Sequence, residues 1–181
     1  MSNLPRIEDL ALMEINDKDK KGALNVLLNQ NPPSGFVQKH PMSGNYYIPI
    51  QNIEFLMTKI FGSWNVEILR ESLIANSICV TVRVHYVCPL TGEKQFQDGA
   101  GAQPLQTDKG KSPTDFSAIK NDSVQKAFPS AESYAIKDAC QKIGKIFGKD
   151  IARSTTANYD SMMPESVKSY TFDKTPKLTE K

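Results

Sequence analysis

Residues 77–86 read Ser-Ile-Cys-Val-Thr-Val-Arg-Val-His-Tyr, and this stretch decides the fold class. Ile78, Val80, Val82, Val84 and Tyr86 fall on one side of an extended chain, and Ser77, Cys79, Thr81, Arg83 and His85 on the other. Five alternations in a row predict a strand with one buried and one polar face. Upstream, Trp64, Val66 and Ile68 alternate with Asn65, Glu67 and Leu69, and Leu73 to Asn76 separates the two runs. Downstream, Pro89-Leu90-Thr91-Gly92 turns the chain and Glu93 to Ala100 returns it. The reading is a three-stranded antiparallel meander.

Helical patterns flank the meander. Pro49 suits a first helical turn, and Ile50, Ile53, Leu56, Met57, Ile60 and Phe61 recur at spacings of three and four until Gly62. After the strands, residues 103–129 hold Pro104, Gly110, Pro113 and Pro129 and read as a long loop. Ser130 is the expected cap of a second helix reaching Phe147 and closed by Gly148. Ala135, Ile136, Ala139, Cys140, Ile143, Ile146 and Phe147 cover one arc of it, and Lys137, Lys142, Lys145 and Lys149 the opposite arc. Helix, three strands, loop and helix predict an α+β layer architecture, a β-meander with packed helices.

The ends differ in character. Residues 4–30 show short helical patterns at Ile7, Leu10, Ala11 and at Ala23, Leu24, Leu27, Leu28, interrupted by the polar run Asn16 to Lys21. Pro32-Pro33 breaks the chain, Phe36 to Lys39 suggests a short strand, and the fold proper is expected to begin near Tyr46. Residues 154–181 turn to Ser, Thr, Asn, Pro and Lys with few apolar anchors. The expected organisation is an N-terminal helical segment 1–30, a core domain 31–153 and a weakly ordered tail 154–181.

With 181 residues, of which 39% are hydrophobic and 23% charged, the chain holds one ordinary domain plus extensions. Twenty-two Lys+Arg against 20 Asp+Glu give a net charge of only +2, which by itself does not announce a polyanion as partner. Its placement says more. Residues 109–153 carry nine basic and five acidic side chains, whereas residues 1–45 and 154–181 are balanced and residues 46–108 carry four basic and six acidic. Lys109, Lys111, Lys120 and Lys126 precede the helical row, Arg153 follows it, and Arg83 stands on the polar face of the clearest strand. A concentrated basic track is what neutralising phosphates requires. Phe116, Phe128, Tyr46 and Tyr47 are candidates to stack bases, Tyr47 being the one better suited to the core.

Several functions are excluded or disfavoured. Cys79, Cys88 and Cys140 are odd in number and widely spaced, and His85 with Cys88 lacks the second pair that a structural zinc site, with about four ligands, requires. No metal site and no disulfide is expected. Gly99-Ala100-Gly101 and Gly144 to Lys149 have the wrong spacing for a phosphate-cradling loop, so no ATP use and no cofactor is expected. No nucleophile or acid–base motif appears, so no catalytic residues are assigned. Asp98 beside Gly99 reads as a turn residue rather than a nuclease ligand. Without a signal-like N-terminus or an apolar run of about 20 residues, the expectation is a soluble, cytoplasmic protein with no membrane partner.

Tyr47-Ile48-Pro49 through Phe61-Gly62 to Trp64, then Val80-Thr81-Val82-Arg83-Val84 with Asp98-Gly99-Ala100-Gly101, then Ala131 to Gly148 form an ordered set. With Pro33 to Lys39 before it, the set resembles the Rad-fifty-two-type single-strand annealing proteins, eukaryotic mediators and phage recombinases among them, over roughly residues 31–152. The resemblance implies a β-β-β-α core assembled into an oligomeric ring or filament. Single-stranded DNA then lies in a basic groove, and complementary strands are annealed without ATP in recombination or DNA repair. That places the protein in a bacterial or phage-infected cell, with a single-strand-binding protein or exonuclease as further partners. The family's cationic helix positions fall on Gln141, Lys142 and Lys145, and its DNA-contacting arginine falls on Asn52, which lacks the charge. Lys39 or His40 matches a basic position of the preceding segment, and Lys94 falls near the hairpin lysine of a second DNA site.

Three rivals stand beside this reading. The α-β-β-β-α order with a basic last helix also suits a double-stranded RNA-binding module. A metal-dependent nuclease would use Asp98, Glu93 and Asp138. A purely structural oligomer would use its lysines for solubility alone.

Overall fold

The computed structural model describes residues 17–41 and 43–152. The elements are α1 (Asp17–Leu28), β1 (Gln38–Lys39), β2 (Tyr46–Tyr47), α2 (Ile50–Phe61), β3 (Trp64–Ile74), β4 (Ser77–Val87), β5 (Lys94–Pro104) and α3 (Ser123–Ile143). It is a mixed α+β architecture whose three-stranded antiparallel sheet has the order β3-β4-β5. The chain divides into two compact units. Described residues up to Ser63, Val87–Glu93 and those from Gln141 onward form the first, and Trp64–Tyr86 with Lys94–Cys140 the second.

In the second unit, the alternation along β4 produces the expected two faces. Ile78, Val80, Val82 and Val84 are buried, and Cys79, Thr81, Arg83 and His85 are half-buried. β3 does not stop before Leu73. It pairs with β4 from Trp64↔Tyr86 to Ile74↔Ser77, with a bulge between Ile68 and Arg70 that absorbs the break in alternation. The connection is a two-residue turn, Ala75-Asn76, with Ala75 at φ 54. β5 likewise runs four residues past Ala100. Asp98 is therefore a mid-strand residue and not a turn residue.

α3 reaches the sheet through an unusually thin contact. Ala127, Ala131, Ala135 and Ala139 recur every four residues and are all buried. Opposite them, Gly99 and Gly101 of β5 present no side chain, and a Cβ on either would overlap the α3 backbone. A Cβ on Gly99 would also lie 2.8 Å from that of Ala139. Alanine against glycine lets helix and strand backbones approach far more closely than Leu or Val would permit.

α3 begins seven residues before the expected cap. Ser130 lies inside the helix, its hydroxyl donating to the Lys126 carbonyl at 2.9 Å, and Pro129 is also internal. The preceding loop is correspondingly shorter and internally tied. Thr107 bridges to Ile119, Leu105 donates to the Asn76 carbonyl at 2.7 Å, and the Gln106 amide donates to the buried Ser123 hydroxyl at 2.5 Å.

The first unit packs α2 through Ile53, Leu56, Met57, Ile60 and Phe61. Pro49 precedes α2 and Gly62 closes it at φ 67, as the sequence pattern requires. α3 ends at Ile143 instead of running to Phe147, which belongs to a 3-10 turn, Lys145–Phe147. At the break, a Cβ on Gly144 would meet the Leu28 backbone of α1. Phe147 is fully buried and stacks on Phe61, with centroids 6.4 Å apart and rings 15° from parallel. The polar residues from Asp17 onward lie inside α1 rather than interrupting it, and β1 with β2 forms a small hairpin that straddles the boundary expected near Tyr46. Ile7, Leu10, Ala11 and residues 154–181 lie outside the described residues.

Candidate nucleic-acid interface

The candidate contact residues divide between the two units. Lys39, His40, Asn52, Lys142, Lys145 and Lys149 belong to the first, and Arg83, Lys94, Lys109, Lys111 and Lys137 to the second. Arg153 lies outside the described residues.

In the first unit, Lys142 in the last turn of α3 and Lys149 just beyond the 3-10 turn are exposed, and Lys145 between them is half-buried. The helix break at Gly144 removes Lys145 and Lys149 from the regular helical row that the sequence suggests. Lys39 is exposed on β1, opposite Tyr46. His40 is committed to the hairpin: its Nδ1 accepts from the Ser43 amide at 3.2 Å and its ring meets Tyr47 at 6.0 Å. Asn52 donates from Nδ2 to the Phe36 carbonyl at 3.3 Å, tying the segment before β1 to α2. The position that carries an arginine in the resembled pattern thus serves a structural bond here. Of the aromatic candidates in this unit, Tyr46 is exposed, and Tyr47 is half-buried with its hydroxyl donating to Gln38 Oε1 at 3.2 Å.

In the second unit, Lys109, Lys111 and Lys120 are exposed around the tied loop, and Phe116 is exposed while Phe128 is half-buried. Lys126 is part of α3, paired with Asp122 at 2.5 Å. Lys137 is half-buried, its ammonium 5.6 Å over the ring of Tyr134, and burial holds its pKa below the usual lysine value. Lys94 opens β5 and is exposed.

Arg83, a candidate for phosphate contact, is paired with a carboxylate of the neighbouring strand. Its Nε and Nη2 donate to the two Asp98 oxygens at 2.7 and 2.9 Å, a bidentate pair that raises the guanidinium pKa still further. Its carbon lies 4.1 Å over the ring of Phe96. Nearby, His85 Nε2 and Glu67 Oε2 are 2.9 Å apart. Phe96 and Tyr134 escape a reading by composition, yet strand alternation already sets Phe96 on the same face as Asp98.

The nuclease alternative finds its carboxylates occupied elsewhere. Asp98 holds Arg83, Asp138 accepts the Ala100 amide at 3.0 Å, and Glu93 accepts from the Thr91 hydroxyl at 3.1 Å. Among the described residues no group of three or more His, Cys, Asp or Glu is placed to hold a metal ion. Cys79, Cys88 and Cys140 are not joined in disulfides. No described helix is long and apolar enough to cross a membrane.

No protein-family model matches the sequence, and a search of curated proteins finds no match.

Proposed function

We propose that this protein binds single-stranded DNA and anneals complementary strands without ATP, in homologous recombination or DNA repair, as a homo-oligomeric ring or filament. The observation that carries the reading is the β-β-β-α order closed by the glycine–alanine contact of β5 with α3. That same helix carries exposed Lys142 in its last turn, with Lys145 and Lys149 following. This joins the ordered sequence resemblance to a run of cations at and just beyond the C-terminal end of α3. Annealing needs no bond chemistry: strands are held by their phosphates with pairing edges exposed, then released as duplex. A cytoplasmic setting and a single-strand-binding protein or exonuclease as partner belong to the same proposal.

α2 ahead of the three strands and α3 behind them also give the α-β-β-β-α order of a double-stranded RNA-binding module. A competition assay separates the two. Labelled oligo-dT bound to the protein should resist displacement by duplex RNA, and complementary oligonucleotides should anneal faster with protein than without, in the absence of nucleotide. A preference for duplex RNA, or no acceleration, overturns the proposal.

A further inference from the structure

The open face of the β3-β4-β5 sheet carries a cluster that the basic track does not use. Phe96, near the start of the edge strand β5, is 57% exposed. It is nevertheless held in place. The Arg83 guanidinium lies 4.1 Å above its ring centroid and is itself fixed by two hydrogen bonds to Asp98. The His85 ring stands 6.3 Å away, tilted by 52°, and is anchored by Glu67. A large aromatic surface is thus kept in the solvent with little side-chain freedom left to lose on binding.

The charges say what suits that surface. The Arg83 charge is matched by Asp98, and Glu67 is hydrogen-bonded to His85, so the cluster offers a phosphate little and a flat ring much. Register and alternation place Arg70 and Lys94 on the same face. Three cations, Arg70, Arg83 and Lys94, against two anions, Glu67 and Asp98, leave it at +1. Lys94 stands two residues before Phe96, about 6.6 Å along the strand. An ammonium and a ring at that separation suit one nucleotide of an extended strand, its phosphate on the first and its base on the second. Stacking engages only the π face of a base and leaves its hydrogen-bonding edge open.

We propose that Phe96 is a base-stacking platform, a binding residue for an unpaired nucleobase, backed by the Arg83–Asp98 pair. The inference rests on the single-strand-binding reading above and adds to it a contact without phosphate chemistry. The experiment measures oligo-dT affinity by fluorescence anisotropy across a salt series for the full chain and for Phe96→Ala, Phe96→Leu and Phe96→Tyr, with light scattering for mass. Phe96→Ala should weaken binding by on the order of 5- to 150-fold. The slope of log affinity against log salt should stay that of the parent, because stacking releases no counterions. Phe96→Tyr should retain affinity and Phe96→Leu should not. Unchanged affinity in Phe96→Ala while the parent binds overturns this inference alone. So does retention by Phe96→Leu, or a loss that accompanies a change in oligomer mass. A parent that fails to bind oligo-dT overturns the single-strand reading and this inference together.

Discussion

Gly99 of β5 faces Ala135 of α3 so closely that a Cβ on the glycine would overlap the Ala135 carbonyl oxygen. The obstacle is backbone, which cannot rotate aside. Gly99→Ala, and likewise Gly101→Ala, should lower the unfolding free energy by about 3 kcal/mol in denaturant titrations. Ala102→Ser, at an exposed position of the same strand, should stay within about 0.5 kcal/mol of the parent.

Asp138 accepts the Ala100 amide at 3.0 Å, joining α3 to β5 by a bond that packing alone does not supply. Asp138→Ala should cost about 1 to 2 kcal/mol, and Asp138→Asn, which keeps an acceptor oxygen, less. The direct check is amide exchange: Ala100 should exchange faster in Asp138→Ala while amides in β4 keep their protection.

Ala75 holds φ 54 in the two-residue turn between β3 and β4. A Cβ is unfavourable in that left-handed region, and glycine relieves it. Ala75→Gly should therefore stabilise the protein by up to about 1 kcal/mol, read as a higher melting temperature. Ala75→Val should lower it.

Lys142→Ala with Lys145→Ala should weaken binding of oligo-dT and reduce its salt slope by about 1.4, the share of two phosphate contacts on a single strand. Far-UV circular dichroism should be unchanged, because neither side chain is part of the buried core.

Burial holds Lys137 below its ordinary pKa, so the folded chain binds this proton less tightly than the unfolded chain. The penalty is complete below the folded pKa and fades as pH rises toward 10.5, the value of a free lysine. Lys137→Met should be more stable than the parent at neutral pH, and the difference should shrink in alkaline buffer. Equal stability at neutral pH, or a difference that grows with pH, would contradict this account.

Much of the architecture was legible because period and punctuation agreed. β4 alternates without a fault, and α2 is bracketed by Pro49 and Gly62. Where local signals misled, a tertiary bond had replaced them. Pro129 and Ser130 resemble a helix start, but the helix is already under way, initiated where Gln106 and Asp122 hold its first turn. Leu73 and Ile74 look like the end of a strand only because the bulge at Ile68/Arg70 shifts their alternation. On the candidate interface, lysines can be counted from sequence, but whether a charge is already spent cannot. Arg83 is neutralised by Asp98, fifteen residues away, and Asn52 is occupied by Phe36. Phe96 was invisible for the converse reason: periodicity gives its face but not the guanidinium lying on it.

The capture of the Ala100 amide by Asp138 has a bearing on how the protein behaves in concentrated solution. A donor held by a side chain is withheld from any incoming strand, so the β5 margin of the sheet is sealed at that point. The β3 margin carries a bulge at Ile68/Arg70 but exposes Ile68, Leu69, Leu73 and Ile74. The sheet is therefore one-sided in its capacity for adhesion, and β3 is the place where a solubilising lysine would serve the handling of the protein best.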